Sequence, residues 1–138
     1  DCAGQRDDSL RAITEDGAGL VIHLWQEGRG IGLADKMRAY AQQINAGADT
    51  VDANLLIGRK VDEREYSDVA LVLEFLGIDQ VRLLTNNPTK VEALDSMGVG
   101  VSEVVPIPPR VNELNRNYIR TKATRLGHTY NLAEIELE

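Results

Sequence analysis

A single cysteine, Cys2, excludes any intramolecular disulfide, so the chain suits a reducing cytoplasmic compartment better than an oxidising one. Basic residues are in deficit. The 15 Lys and Arg face 22 Asp and Glu, and a formal net charge of −7 argues against a general nucleic-acid binder, which needs a basic footprint. No apolar run approaches the length that crosses a bilayer and no secretory or transit segment opens the chain, so a soluble protein without a membrane partner is expected. An initiator Met is lacking too, and Asp1-Cys2 reads like the interior of a longer sequence whose beginning is missing. Neither a P-loop nor a G-x-G-x-x-G fingerprint occurs. What is present is 138 residues, 43% hydrophobic and 27% charged, the composition of one globular domain with a single core. An anionic small ligand then requires a locally basic pocket.

Apolar periodicity alternates along the chain. Ser9 to Thr14 reads as a helix, Leu20 to Trp25 as a strand after the Gly17–Gly19 break, and Leu33 to Ile44 as a helix with Leu33, Met37, Tyr40, Ala41 and Ile44 on its apolar face. Thr50 to Leu56 is ambiguous. Gly58 to Glu65 is a charged loop entering a helix around Tyr66 to Leu76 that Gly77 stops. A strand at Val81 to Leu84, a helix near Lys90 to Ser96 closed by Gly98, and a strand region from Val99 to Val105 follow. Pro106, Pro108 and Pro109 end that strand, Tyr118 to Leu126 is a last helix, and the acidic tail 133–138 reads as mobile. The alternation predicts an α/β fold, a mixed sheet flanked by helices in three α/β/α layers, as a single domain over 1–138. Ligands should collect at loops beyond strand ends.

Three polar clusters sit in such loops. At Thr85-Asn86-Asn87-Pro88-Thr89-Lys90 a strand gives way to a helix, and unpaired N–H groups, the helix dipole and an ammonium together favour an anion. The same run also serves as a purely architectural Asn-Pro turn. In Gln26-Glu27-Gly28-Arg29-Gly30-Ile31-Gly32 the glycines allow close backbone approach to a ligand and a guanidinium can fork onto phosphate, while a plain strand-to-helix turn with a Glu27–Arg29 salt bridge fits equally. Asp62-Glu63-Arg64-Glu65-Tyr66 places a carboxylate two residues from a guanidinium at a helix entry. It suits a base that acts by position, and it also suits a solvated, capping charge run. Cys2 is a bystander or a metal ligand; neither His23 nor His128 has a spacing from it that resembles a local metal motif.

Taken in order, Asp1-Cys2, Gln5, Gln26-Glu27-Gly28-Arg29-Gly30-Ile31-Gly32-Leu33, Arg38-Ala39-Tyr40, Asp49-Thr50-Val51-Asp52-Ala53-Asn54, Asp62-Glu63-Arg64, Arg82 to Pro88, Thr121-Lys122 and Gly127-His128 resemble GTP cyclohydrolase II. The likeness runs from Asp1 to about Leu132. It implies a hydrolase of riboflavin biosynthesis that binds GTP and opens its imidazole ring, releasing formate and pyrophosphate and leaving a diaminopyrimidinone ribosylamine 5′-phosphate. It further implies a homodimer, a Zn²⁺ held by three cysteines that activates water, and Mg²⁺ on the triphosphate. Cys2 corresponds to the last of those cysteines, with the other two expected upstream of Asp1. Asp62 corresponds to the proton acceptor and Arg64 to the residue that attacks the α-phosphorus. A protonated guanidinium is a poor nucleophile, so Arg64 equally suits stabilising phosphate charge. Tyr40 corresponds to a tyrosine beside the reacting water, and Gln5, Glu27, Gly28, Arg29, Thr50, Thr85 and Lys90 to substrate contacts. Glu27 is apt for guanine, whose N1–H and amine donate to a carboxylate. Three departures stand out: Trp25 replaces the family's usual arginine, Ala3-Gly4 follows Cys2 where Gly comes at once, and one extra residue lies between Tyr40 and Thr50. A divergent member that binds a purine nucleotide without full turnover, or opens the ring without losing formate, is the alternative.

Overall fold

A computed structural model describes residues 2–131, together with 133 and 135, the Cys2 side chain excepted. In chain order its elements are α1 (Cys2–Asp16), α2 (Gly32–Ala46), α3 (Thr50–Leu56), α4 (Ser67–Phe75), β1 (Gln80–Leu84), α5 (Pro88–Ser96), β2 (Gly100–Val105) and α6 (Arg116–Arg125). By its contacts the chain divides into two compact units, Asp1–Ile22 with Tyr66–Glu138, and His23–Glu65.

The first unit is built around a β1–α5–β2 crossover. Parallel strands cannot be joined by a tight hairpin, so a helix must carry the chain back, and α5 does so. Asn87 starts that helix by accepting from the Thr89 N–H at 3.1 Å, and Pro88 in its first turn sacrifices a donor the helix would leave unpaired anyway. Val81 pairs with Val101 but Arg82 with Glu103, so Ser102 is an extra residue on β2. Its hydroxyl donates to the Val81 carbonyl at 3.1 Å, and Arg82 meets Glu103 across the strands at 2.9 Å. Leu73 of α4, Leu94 of α5 and Val99 form a buried cluster to which Val81, Leu83 and Val101 add their inward sides. Removing such side chains from water contributes about 1.5–3 kcal/mol each. Ile119, Tyr130 and Ile135 make a second cluster with Val111, Tyr118 and Ala123.

The α/β class is thus borne out: helices flank a small sheet, in keeping with α/β/α layering, and its two described strands run parallel where a mixed sheet was expected. Leu20 to Trp25 is not a strand. A strand needs a neighbour whose backbone groups answer its own, and among the described residues only β1 and β2 offer such an edge, to each other. Of that apolar run Ile22 packs on the Leu73 cluster, while Leu20, Val21 and Trp25 stay exposed. Thr50 to Leu56 resolves as a helix because Asp49 accepts from the Val51 and Asp52 N–H groups at 2.8 and 2.9 Å. Of the expected acidic tail 133–138, residues 134 and 136–138 lie outside the described residues. No helix among the described residues is long and apolar enough to cross a membrane.

Candidate functional site

The second unit carries two of the three polar clusters and brings them together. Glu27–Gly30 forms one tight helical turn in which Gly28 and Arg29 both take left-handed backbone angles, with φ of 63° and 60°. Such a conformation strains a residue with a Cβ, and Arg29 is the one non-glycine with positive φ among the described residues. The Glu27 carboxylate accepts from its neighbour Gly28 N–H at 2.7 Å and from Lys36 Nζ of α2 at 2.8 Å. The Lys36 hydrogen bond, the Gly28 N–H and the Lys36 charge hold the Glu27 carboxyl below its ordinary range. Lys36 Nζ also lies 5.8 Å from the centre of the Tyr40 ring one turn further along α2.

Against this turn runs the Asp62–Glu65 segment. The Glu63 N–H donates to the Arg29 carbonyl at 2.9 Å, and Gly30 comes so near that a Cβ there would stand 2.6 Å from the Glu63 carbonyl oxygen. Asp62 accepts from the Arg64 backbone N–H at 3.1 Å and Nε at 2.8 Å, and its second oxygen meets Arg64 Nη2. Burial works against ionisation of Asp62. The Arg64 hydrogen bond, its charge, its backbone N–H and the charge of Arg29 together outweigh that and hold the carboxyl below 3.8, the ordinary aspartate value. The pair therefore stands as carboxylate and guanidinium at neutral pH.

A buried carboxylate that the sequence did not single out organises the base of this loop. Asp35 of α2 accepts from Arg59 Nε at 2.7 Å and from Arg38 Nη1 at 2.7 Å, and Arg59 reaches Glu63 at 3.7 Å. The Arg59 hydrogen bond foremost, then that of Arg38, depresses the Asp35 pKa below 3.8. A lowered folded-state value means stability that is present above 3.8 and lost as pH falls through the folded-state pKa. Urea midpoints of the unaltered chain should accordingly fall in that acid range. An Asp35→Asn variant should start lower at neutral pH and show a shallower acid dependence; parallel curves would exclude the network as the cause.

Asp35 escaped the sequence reading because it lies on the face of α2 opposite the apolar stripe. Of that stripe Leu33, Met37, Tyr40 and Ile44 are exposed, and the buried positions of α2 are Asp35 and Ala39. Within this unit α2 packs on α3, whose Val51, Ala53 and Asn54 are buried. Gln26 was read only as part of the glycine-rich run; its side chain bonds the backbone of Glu65 in both directions, at 2.8 and 2.9 Å. An open cleft of about 470 Å³ is bordered by Trp25, Gln26, Glu27, Gly30, Gly32, Leu33, Glu63 and Glu65. Three carboxylates on that border suit the donor edge of a ligand rather than an anionic end.

The remaining candidates are placed as follows. Thr50 is the first residue of α3. Gln5 lies on α1 in the first unit and donates to the Tyr130 hydroxyl at 3.1 Å. In the same unit Thr85, Asn86 and Asn87 are all buried. The Thr85 hydroxyl accepts from the Asn87 N–H at 3.1 Å, and the Asn86 amide answers both the N–H and the carbonyl of Ile107, at 3.1 and 2.6 Å. Lys90 follows on α5, its N–H bonded to the Asn87 carbonyl at 3.1 Å. The expected cofactors, Zn²⁺ at Cys2 and Mg²⁺ on the triphosphate, require correction. The sequence supplies one cysteine, and no three His, Cys, Asp or Glu among the described residues group so as to hold a metal ion. Zinc needs three or four converging donors, whereas the carboxylates of Asp35 and Asp62 already answer arginines. Cys2 opens α1, and its side chain lies outside the described residues.

Comparison with known proteins adds a second line. Residues 1–106 match the family described as GTP cyclohydrolase II. The chain is 50% identical over 128 residues to a protein of Pseudomonas paraeruginosa named GTP cyclohydrolase-2, covering 93% of this chain and 62% of that protein. It is 49% identical over 128 residues to the protein of the same name from Azotobacter vinelandii, covering 93% of this chain and 61% of that one. It is also 49% identical over 129 residues to the riboflavin biosynthesis protein RibBA of Phocaeicola vulgatus, covering 94% of this chain and 32% of that protein. The chain therefore spans about three fifths of the first two relatives and a third of the last.

Proposed function

The chain belongs to the GTP cyclohydrolase II family, and we propose from that premise that it hydrolytically opens the imidazole ring of GTP, releasing formate and pyrophosphate in riboflavin biosynthesis. What supports the reading is one juxtaposition: the Glu27–Gly30 turn lies against the Asp62–Glu65 segment, tied by the Glu63 N–H to the Arg29 carbonyl at 2.9 Å. A carboxylate for the base edge, a carboxylate that can take a proton and two guanidiniums then belong to one unit. In this proposal Glu27, kept ionised by Lys36, accepts from guanine N1–H and its amine, with the Gly28 backbone alongside. Asp62 takes a proton from the water that adds at C8; the ring C–N bond breaks, and a second water cleaves the resulting formamide to free formate. Arg64 and Arg29 stabilise charge as water displaces pyrophosphate at the α-phosphorus, which a guanidinium fork does better than it attacks. Tyr40 relays a proton, and Gln5, Thr50, Thr85 and Lys90 contact the substrate.

A homodimer is part of the same proposal, because exposed Leu33, Met37 and Ile44 form an apolar stripe on α2 of the kind that marks an interface. So are a cytoplasmic location, on the single cysteine, and no nucleic-acid partner, on the net charge of −7. The test is formate and pyrophosphate released per GTP consumed. Formate in step with pyrophosphate is the expected result. GTP consumed without formate would replace the reading by a member that stops early, and no consumption by one that only binds.

A further inference from the structure

We infer that Gln26 is a positioning residue: its side-chain amide fastens the Asp62–Glu65 segment to the Glu27–Gly30 turn and so sets where the Asp62 carboxylate and the Arg64 guanidinium stand. The inference rests on the proposed cyclohydrolase reaction for its consequence in turnover, and on geometry alone for the fastening.

The geometry has three parts. Gln26 Nε2 donates to the Glu65 carbonyl at 2.8 Å, and Gln26 Oε1 accepts from the Glu65 N–H at 2.9 Å. One side chain thereby does what a paired strand would do, answering both polar groups of one residue 39 positions away. Gln26 is itself held, since its N–H donates to the Leu24 carbonyl at 2.9 Å. The third part is the Glu63 N–H on the Arg29 carbonyl at 2.9 Å. Arg64 sits between these fastenings, flanked by Glu63 and Glu65, and Asp62 directly precedes the fastened Glu63 and is bonded to Arg64. With the Glu65 end released, the segment would keep its Arg29–Glu63 tie and lose the second point that fixes its direction. Only an uncharged amide meets both demands. A carboxylate at position 26 would accept from the Glu65 N–H but face the Glu65 carbonyl with a second lone pair, and an aliphatic chain would do neither.

The experiment compares the unaltered chain with Gln26→Met, which keeps length and removes both hydrogen bonds, and Gln26→Glu, which keeps one. Amide hydrogen exchange at Glu63 and Glu65 is measured without nucleotide, and kcat and KM for formate release are measured separately. The expected result is faster exchange at Glu65 in Gln26→Met, with kcat lower by roughly tenfold to a hundredfold and KM within about twofold, since misplacing reacting groups costs the chemical step. Gln26→Glu should fall between. Unchanged Glu65 exchange in Gln26→Met would overturn the fastening. Faster exchange with unchanged kcat would overturn the positioning role and leave a purely structural one. If the unaltered chain releases no formate, the proposed reaction fails, and faster Glu65 exchange in Gln26→Met would still uphold the fastening.

Discussion

Asp62→Asn is expected to lower formate release from GTP by roughly 10²–10⁴-fold, the range a positioned general base contributes. Asparagine has nearly the same shape and its Oδ1 can still accept the Arg64 N–H groups that Asp62 accepts at 3.1 and 2.8 Å, but its Nδ2 meets Arg64 Nη2 donor to donor, so the urea midpoint separates a loosened loop from lost chemistry. What disappears is the negative charge and the ability to take a proton. Because the Arg64 hydrogen bond and the Arg64 and Arg29 charges outweigh burial and hold the Asp62 carboxyl below its ordinary range, turnover by the unaltered chain should show no acid limb from this group at neutral pH. The companion change Arg64→Lys keeps a cation and loses the planar fork, so it separates charge from geometry. A lysine variant as slow as Arg64→Ala would place the requirement in the fork. The measurement is kcat and KM for each variant across pH, alongside a urea midpoint. An Asp62→Asn enzyme within threefold of the unaltered one would remove Asp62 from the chemistry.

Gly30→Ala is expected to damage both stability and turnover, and Gly32→Ala to damage stability alone. Both glycines have left-handed backbone angles, with φ of 91° and 82°, where a Cβ costs about 1–3 kcal/mol. At Gly32 nothing lies within 4 Å of the added carbon. At Gly30 the carbon would meet the Glu63 carbonyl oxygen at 2.6 Å, its carbon at 2.7 Å and the Arg64 nitrogen at 3.0 Å. These are backbone atoms that cannot swing aside as a side-chain tip can, so the Asp62–Glu65 segment itself must shift. A shift near 1 Å lowers turnover on the order of a hundredfold. Thermal melts and kcat for the two variants give the contrast; equal losses at both positions would show that strain alone, and not the close approach, is what glycine relieves there.

These two expectations draw on different parts of the sequence's legibility. Residue types were readable where a local rule forces them. Asn87-Pro88 announces a helix start because a capping amide and a ring without an N–H suit the first turn, and Gly77 and Gly98 follow α4 and α5 at their ends. The motif residues Glu27, Arg29, Asp62 and Arg64 were equally visible as chemistry-bearing types in loops. The run Leu20 to Trp25 misled for a physical reason: a short, largely apolar run carries no record of whether a partner edge exists. The α2 helix was legible from its spacing, but not which face is covered, since Leu33 and Ile44 are as apolar on an exposed face as in a core.

By itself, the sequence determined the family, the α/β alternation and the identity of the groups that can take a proton or bind an anion, because ordered motifs, turn chemistry and side-chain type are local properties. Only the tertiary structure decided that Gln26 answers the backbone of Glu65, that Asp35 gathers Arg38 and Arg59, and that Gly30 touches Glu63. Those facts depend on segments tens of residues apart meeting in space, and hydrogen-bond donors and acceptors are matched only once the chain has brought them within about 3 Å.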